Sequence, residues 1–176
     1  MMLTLEAALI SARERLRDVT PLKGDCGRVC GRACCLPAPG SEGSPSGMYL
    51  FPGEAGLYKP CPGWARLCTA GWASGDRILL LECEGVCPRE DRPLACRLFP
   101  LCARSSGGGF TVGMDPRGRS VCPLIPHGVQ ALDPAFTKAV TDAIRTLWAF
   151  PDFKKFLEEM DYTTLYIKKK KTQPRR

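Results

Sequence analysis

Apolar residues recur at helical spacing near both ends of the chain. In the N-terminal segment an apolar residue returns every three or four positions, which predicts an amphipathic helix that ends before Pro21. Its apolar face consists of Leu5, Leu9, Ala12 and Leu16. We expect this face to pack against the rest of the fold.

Two further helices are predicted toward the C-terminus. Asp133 is a favourable N-cap and Pro134 suits a first helical position, so one helix should begin there. The next helix is expected to begin at Pro151 or Asp152. The apolar stripes of the two helices, which we interpret as core, consist of Phe136, Val140, Ala143, Ile144 and Leu147 and of Phe153, Phe156, Leu157 and Met160.

Between these helical ends the apolar runs are short and typical of strands. Arg77–Cys83 (RILLLEC) predicts a strand buried on both faces, and residues 110–114 predict another. Residues 48–51 fit either a short strand or the start of a helix around Glu54. These elements together predict a small α+β fold in which an N-terminal helix and C-terminal helices pack over a short antiparallel sheet.

The composition of the chain indicates that much of it forms loops. Its 176 residues include 18 glycines and 16 prolines, and residues 36–47 form a stretch rich in Pro, Gly and Ser. Loop-rich folds usually need covalent or metal crosslinks. We interpret residues 1–167 as a single domain, with a cysteine-containing region over residues 26–123.

The net charge of +7 is concentrated at one end of the chain. Residues 168–176 contribute +6, which leaves +1 for all the other residues. We expect these nine residues to be a basic disordered tail, because like-charge runs at termini usually stay unfolded. The nearly neutral body gives no support for a nucleic-acid groove, so nucleic acid is not an expected partner.

The chain contains 11 cysteines, and the cellular compartment decides whether they stay reduced or form disulfides. No stretch approaches the roughly 20 apolar residues that span a bilayer, so no membrane partner is expected. The first 17 residues lack the basic start and apolar run of a signal peptide. We therefore expect a cytoplasmic protein with reduced thiols, and an odd number of them favours metal ligation over a disulfide framework.

The first cysteine cluster, GDCGRVCGRACC, contains Cys26, Cys30, Cys34 and Cys35. Cysteines four residues apart fall on one side of a helical turn, close enough to share a metal. Three nearby glycines permit the tight turns of a metal knuckle. Because adjacent side chains diverge, one of Cys34 and Cys35 is expected to ligate this metal, while the other packs inward or serves a second metal.

The second cluster, in the run ECEGVCPREDRPLACRLFPLC, contains Cys83, Cys87, Cys96 and Cys102. A zinc ion held by four thiolates carries a net charge of −2, which neighbouring guanidinium groups would offset while lowering thiol pKa values. The arginines in this run are Arg89, Arg92 and Arg97. The run therefore combines ligands with the positive charge that suits a thiolate site.

The cysteines leave the metal open between zinc and an iron–sulfur cluster. Their spacing differs from the CxxC pairs of zinc ribbons and from the C-x2-C-x2-C-x3-C-P run of ferredoxins. The preferred metal ligands are Cys30, Cys34, Cys35, Cys87 and Cys96, followed by Cys26 and Cys83. An ordinary buried thiol is an equally good interpretation for Cys61, Cys68, Cys102 and Cys122.

The two clusters together resemble the YkgJ-type cysteine-cluster family, described as zinc- or iron-chelating domains with a CxxCxxCC-like motif. The later part of that pattern is matched by Cys87, Arg92, Pro93, Cys96, Arg97, Phe99 and Pro100. The first cluster departs from it, with three residues between cysteines where the family has two. The resemblance covers residues 26–123 and implies a metal-chelating domain, without supplying a biochemical activity.

Two functions remain as main hypotheses. The first is a metal-binding module whose metal is structural or passes to a protein partner. The second is an iron–sulfur redox or protein-modifying enzyme component, since some family members resemble protein lysine methylases that carry an iron–sulfur cluster. A third alternative is a nucleic-acid-binding zinc protein that relies on the basic tail. We interpret the single histidine, His127, as an exposed loop residue and Glu54 as a helix-start or surface carboxylate.

Overall fold

The structure of the protein is a computed structural model that describes residues 3–36, 47–71, 77–83 and 87–160. It has the expected α+β fold. The helices are α1 (Leu5–Arg15), α2 (Gly27–Cys30), α3 (Leu94–Leu98), α4 (Pro134–Leu147) and α5 (residues 151–160). The strands are β1 (Gly47–Tyr49), β2 (Ala65–Gly71), β3 (Arg77–Cys83), β4 (Leu101–Ser106) and β5 (Gly109–Met114).

The described strands form two antiparallel sheets. In the first sheet β3 lies between β1 and β2, and Leu81 is opposite both Met48 and Leu67. The second sheet is the hairpin of β4 and β5. Gly107 and Gly108 form the tip of this hairpin with φ values of 54° and 82°, which lie in the left-handed region that favours glycine.

The helices predicted near the two ends of the chain enclose most of the apolar core. Thr4 caps α1 by accepting the backbone N–H of Ala7 at 3.2 Å, and Asp133 caps α4 by accepting that of Ala135 at 2.8 Å. The two helices contact each other. All but one of their predicted core positions are at most 2% exposed, namely Leu9, Ala12, Leu16, Phe136, Val140, Ala143, Ile144 and Leu147. Leu5, in the first turn of α1, is only partly buried but packs against the same core.

α5 joins this core through aromatic contacts. Phe153 is fully buried and its ring centroid lies 5.1 Å from that of Phe51, just after β1. Phe156 contacts Tyr49 of β1 at a centroid distance of 5.7 Å. Offset and tilted ring pairs of this kind add about 0.5–1.5 kcal/mol beyond the area they bury. The prediction that these positions of α5 are core is therefore confirmed.

The prediction for β3 is confirmed as a strand but wrong about its burial. Leu81 is 1% exposed, whereas Leu79 on the same face is 43% exposed. The reason is the length of the partner strand, because β1 pairs only with residues 80–82 of β3. Near the other end of β3, Ile78 still packs against the core on the opposite face, so only the face of Leu79 is left uncovered there.

The segment that was ambiguous between strand and helix start contains both. β1 ends at Tyr49, and a 3₁₀ helix follows over Glu54–Tyr58. Three predicted features lie outside the described residues: most of the Pro/Gly/Ser-rich loop (37–46), the end of the predicted domain (161–167) and the basic tail (168–176). In the described ranges, no helix is both long and apolar enough to cross a membrane.

Candidate metal centre

The first cysteine cluster folds into a run of tight turns. Cys26 is the N-cap of α2 and Cys30 its last residue, so their side chains lie one helical turn apart. Gly31 and Arg32 then both adopt left-handed conformations, with φ values of 60° and 61°. This reversal leads at once into a 3₁₀ turn over Ala33–Cys35. The glycines of this cluster therefore permit a tight reversal of the chain, which is the backbone shape expected of a metal knuckle.

The second cluster is anchored by a buried carboxylate. Glu54 begins a 3₁₀ helix, as expected, but it is 0% exposed, so the surface interpretation is wrong. Its carboxylate accepts the backbone N–H of Leu94 at 2.6 Å and that of Phe51 at 3.1 Å. The Arg13 guanidinium lies 3.9 Å away. Because Leu94 is the first residue of α3, Glu54 ties the helix that carries Cys96 to the segment after β1.

Two of the predicted arginines bind backbone carbonyls. Arg97 donates to the carbonyl oxygens of Arg13, Glu90 and Arg92 at 3.0, 2.6 and 2.9 Å. Arg89 donates to two carbonyl oxygens in the segment just after α1, at 2.9 and 3.2 Å. These contacts fix the turn before α3 against the end of α1. They make both side chains part of the scaffold of the site.

Arg92 is the arginine that faces the thiols. Its guanidinium lies close enough to Cys87, Cys35 and Cys96 to interact electrostatically with their thiols. Its Nε atom is buried and has no hydrogen-bond acceptor within the described part of the chain. A buried donor without an acceptor costs about 1–3 kcal/mol. This nitrogen therefore marks a position where a negatively charged group would be stabilised.

Thiols from both clusters line two adjoining cavities. The smaller cavity, of about 80 Å³, has five cysteines in its lining: Cys26, Cys30, Cys34, Cys96 and Cys122. The larger cavity, of about 340 Å³, also has five: Cys34, Cys35, Cys83, Cys87 and Cys96. Cys34, Cys96 and Arg92 belong to both linings and so form the shared wall.

All seven predicted ligands thus line at least one cavity, and Cys122 joins them. Six of the seven are partly buried, and Cys34 is exposed. Within the described ranges, no three Cys, His, Asp or Glu residues already form a group that could hold a metal ion. The structure gathers the predicted ligands around shared space, and coordination would require their side chains to turn toward a common point.

The thiols differ in acidity because their surroundings differ. A hydrogen bond from Cys34, helped by Arg92 and Arg32, lowers the pKa of Cys35 to about 6 despite partial burial. The same contact raises the pKa of Cys34. Burial raises the pKa of Cys96 well above the usual thiol value. At neutral pH Cys35 is therefore a thiolate, whereas the neighbouring thiols of Cys34 and Cys96 keep their protons until a metal cation displaces them.

Three other cysteines are placed elsewhere. Cys61 is exposed and its thiol donates to the carbonyl oxygen of Ala65 at 3.2 Å. The thiol of Cys68 donates to the carboxylate of Glu82 at 3.3 Å. Cys102 is buried within β4. None of the three lines either cavity. Of the three, only Cys102 is the buried thiol that the sequence offered as an interpretation, because Cys61 is exposed and Cys68 is partly buried.

Cys122 is the one of the four cysteines with two open interpretations that lines a cavity. It is 9% exposed, and its backbone N–H donates to the carbonyl oxygen of Gly118 at 2.8 Å. A Cβ atom on Gly118 would lie 2.5 Å from the Phe99 ring, so only glycine allows this approach. The contact brings the segment after β5 against the end of α3. His127 is exposed, as expected, and lines neither cavity.

Comparisons with models of known protein families, with curated proteins and with solved structures find no match for this chain. The residues that resemble the later part of the YkgJ-type pattern run from Cys87, before α3, to Pro100, the residue before β4.

Proposed function

We propose that the protein binds metal, either zinc or an iron–sulfur cluster, through cysteine thiolates of its two clusters. The observation that carries the proposal is the meeting of both clusters at two adjoining cavities. Cys34 and Cys35 come from the first cluster, and Cys83, Cys87 and Cys96 come from the second. Ordinary core thiols have no physical reason to gather from distant parts of a chain.

The chemistry of this donor set fits such a centre. Thiolates are the ligands that structural zinc and iron–sulfur clusters take. Zinc held by four thiolates is an anion, and the buried Nε of Arg92 is a donor that lacks an acceptor in the described ranges. A guanidinium N–H is stabilised by an anionic thiolate centre more than by neutral thiols. The same residue therefore supports the charge that bound metal would create.

Metal binding should depend on pH in a defined direction. Burial raises the pKa of Cys26, Cys87 and Cys96, so these thiols are protonated at neutral pH. Because a metal binds the thiolate, each of them must release a proton when it becomes a ligand. We therefore expect the apparent affinity to rise steeply as pH rises from 6 to 8.

The deciding experiment is metal analysis with a visible absorption spectrum, on protein purified without oxygen. Colourless protein with stoichiometric zinc would support a structural or chelating module, and iron with sulfide and a brown colour would support a cluster. Cys35→Ser combined with Cys96→Ser should reduce the metal content, while Cys61→Ser should leave it unchanged. Folded wild-type protein that takes up neither zinc nor iron would contradict the proposal.

We also propose membership of the YkgJ-type family and a cytoplasmic location. The matched stretch supports the first, since Pro93 is the N-cap of α3, Cys96 lies within that helix and Phe99 packs against the turn that leads to Cys122. The state of the cysteines supports the second, because all 11 are free thiols and these persist in reducing compartments.

A second candidate function is an iron–sulfur redox or protein-modifying enzyme component. The larger cavity favours it, because apolar Trp64 and Leu81 and polar Arg117 and Ser120 line it beside the thiols. Mixed linings of this kind are typical of sites that bind small molecules or side chains. Bleaching of a brown chromophore by a reductant would support this function, whereas a colourless zinc protein would contradict it.

A nucleic-acid-binding function would depend on the basic tail, which lies outside the described residues.

A further inference from the structure

Each cavity has three cysteines that the other lacks. The set of the smaller cavity is Cys26, Cys30 and Cys122. The set of the larger cavity is Cys35, Cys83 and Cys87. Cys34 and Cys96, on the shared wall, are the remaining two of the eight thiols that line the cavities.

We propose that the protein holds two thiophilic divalent metal ions at separate four-thiolate sites, one in each cavity. A tetrahedral site of this kind takes four cysteines, so one site would leave half of the eight thiols unused, whereas two sites use all of them. The inference rests on the proposed function, because it presupposes that these thiols bind metal. It adds a second site and makes Cys122 a ligand.

The two wall cysteines are assigned by the elements that carry them. Cys34 follows Cys26 and Cys30 in the same run of turns, and Cys96 of α3 belongs to the second cluster. We therefore assign Cys34 to the site in the smaller cavity and Cys96 to the site in the larger cavity. The thiols of Cys34 and Cys35 lie against each other, so the two sites would adjoin at this pair, whose side chains would turn apart when metal binds.

Arginines line both cavities. Two four-thiolate zinc sites would together carry −4. Arg89 and Arg97 line only the smaller cavity, and Arg92 lines both. Arg117 lines only the larger cavity, and its guanidinium is already paired with the Asp115 carboxylate at 2.6 Å. Arg92, on the shared wall, is therefore the guanidinium placed to reduce the repulsion between the two anionic centres.

Cys122 is held in place beside the smaller cavity. It lines that cavity and is 9% exposed. Its backbone N–H donates to the carbonyl oxygen of Gly118 at 2.8 Å, and its carbonyl oxygen accepts the backbone N–H of Ile125 at 3.3 Å. A backbone fixed on both sides of the residue suits a ligand, because less conformational freedom is lost when its thiolate binds a metal.

The test is the number of zinc ions per chain, measured on reduced, oxygen-free protein reloaded with zinc alone. Wild-type protein should bind two. Cys122→Ser should bind one, Cys87→Ser should bind one, and the two combined should bind none. Cys26→Ser combined with Cys122→Ser, both within the smaller cavity, should still bind one. Cys61→Ser is the matched control and should bind two.

Cobalt(II) in place of zinc gives an independent reading. Its thiolate-to-metal charge-transfer absorption should reach its end point at two equivalents for wild-type protein and at one equivalent for each single variant. Because the wild-type end point needs no substitution, the inference remains testable even where a variant folds poorly.

The outcomes separate the inference from the proposed function. One metal per wild-type chain, lost equally in Cys122→Ser and Cys87→Ser, would leave the proposed function standing and overturn the two-site inference. Two metals in both wild-type protein and Cys122→Ser would overturn the assignment of Cys122. No metal in wild-type protein would overturn the proposed function itself.

Discussion

The helical core and the cysteine-bearing turns differ in what holds them together. Five residues of α4 are fully buried, whereas no residue of α2 or of the 3₁₀ turn Ala33–Cys35 is buried. Apolar burial stabilises the first region by about 25 cal/mol per Å² and gives the second almost nothing. The turns therefore need another source of stability, and a bound metal is the source that suits their cysteine side chains.

The largest expected effect tests the helical side of this comparison. Phe136 is 0% exposed in the core, so Phe136→Ala should lower the free energy of unfolding by about 3–5 kcal/mol. Urea unfolding followed by far-ultraviolet circular dichroism measures it. The matched control is Lys138→Ala on the exposed face of α4, which should change the value by less than about 0.5 kcal/mol. If the folded variant lost its metal, the two regions would not be independent.

Glu54 links the two regions and should give the next largest effect. Glu54→Ala would leave the N–H groups of Leu94 and Phe51 without an acceptor, at about 2–4 kcal/mol in total. Because Leu94 begins α3, metal affinity should fall as well. Glu54→Gln keeps one acceptor oxygen and should lose about half as much stability. Equal losses in the two variants would mean that charge, and not hydrogen bonding, is the main contribution.

The same carboxylate predicts a dependence of stability on pH. Burial raises the pKa of Glu54, so the folded protein binds this proton more tightly than the unfolded chain does. The resulting stability is fully present below the unfolded pKa of about 4 and is lost as pH rises through the raised value. The free energy of unfolding of wild-type protein should therefore fall with pH relative to that of Glu54→Gln. A difference that stays constant from pH 4 to 8 would contradict this.

Much of the fold was predictable because its helices carry their own pattern. Burial of one helical face imposes a period of 3.6 residues, and α1, α4 and α5 all show it. The strands were harder. The apolar content of β3 was visible, but its exposure depends on the three-residue length of β1, a partner distant in sequence. β2 was missed because ARLCTAG does not alternate between apolar and polar residues.

The site was predictable in its members but not in its arrangement. Number and spacing identified seven of the eight cysteines that line the cavities. Cys122 was left open between ligand and ordinary thiol, and the burial of Glu54 was not recognised, since both depend on contacts between remote segments. The Glu54–Leu94 hydrogen bond joins residues 40 positions apart, and Cys122 reaches the site through the packing of Gly118 on Phe99. Local patterns carry no information about such contacts.

Proteolysis gives a smaller effect that separates the two regions directly. Arg28 and Arg32 lie exposed in the cysteine-bearing turns, and Lys138 and Arg145 lie exposed on α4. Removing metal with a chelator should raise the rate of tryptic cleavage after Arg28 and Arg32 about tenfold or more, because opening of the turns becomes easier. Cleavage within α4 should not change, which provides the internal control. Equal acceleration at both places would show that metal stabilises the whole fold.

The smallest expected effect concerns how each helix begins. Thr4 caps α1 through its side-chain oxygen, whereas Cys26, the N-cap of α2, makes no side-chain capping bond. Thr4→Ala should cost about 1 kcal/mol in urea unfolding, and Thr4→Ser should restore most of it, because Ser caps equally well. Chelation should leave both differences unchanged, since α1 is held by local chemistry and burial. If the cost of Thr4→Ala instead rose on chelation, the stability of α1 would depend on the metal centre, and the contrast between the two regions would fail.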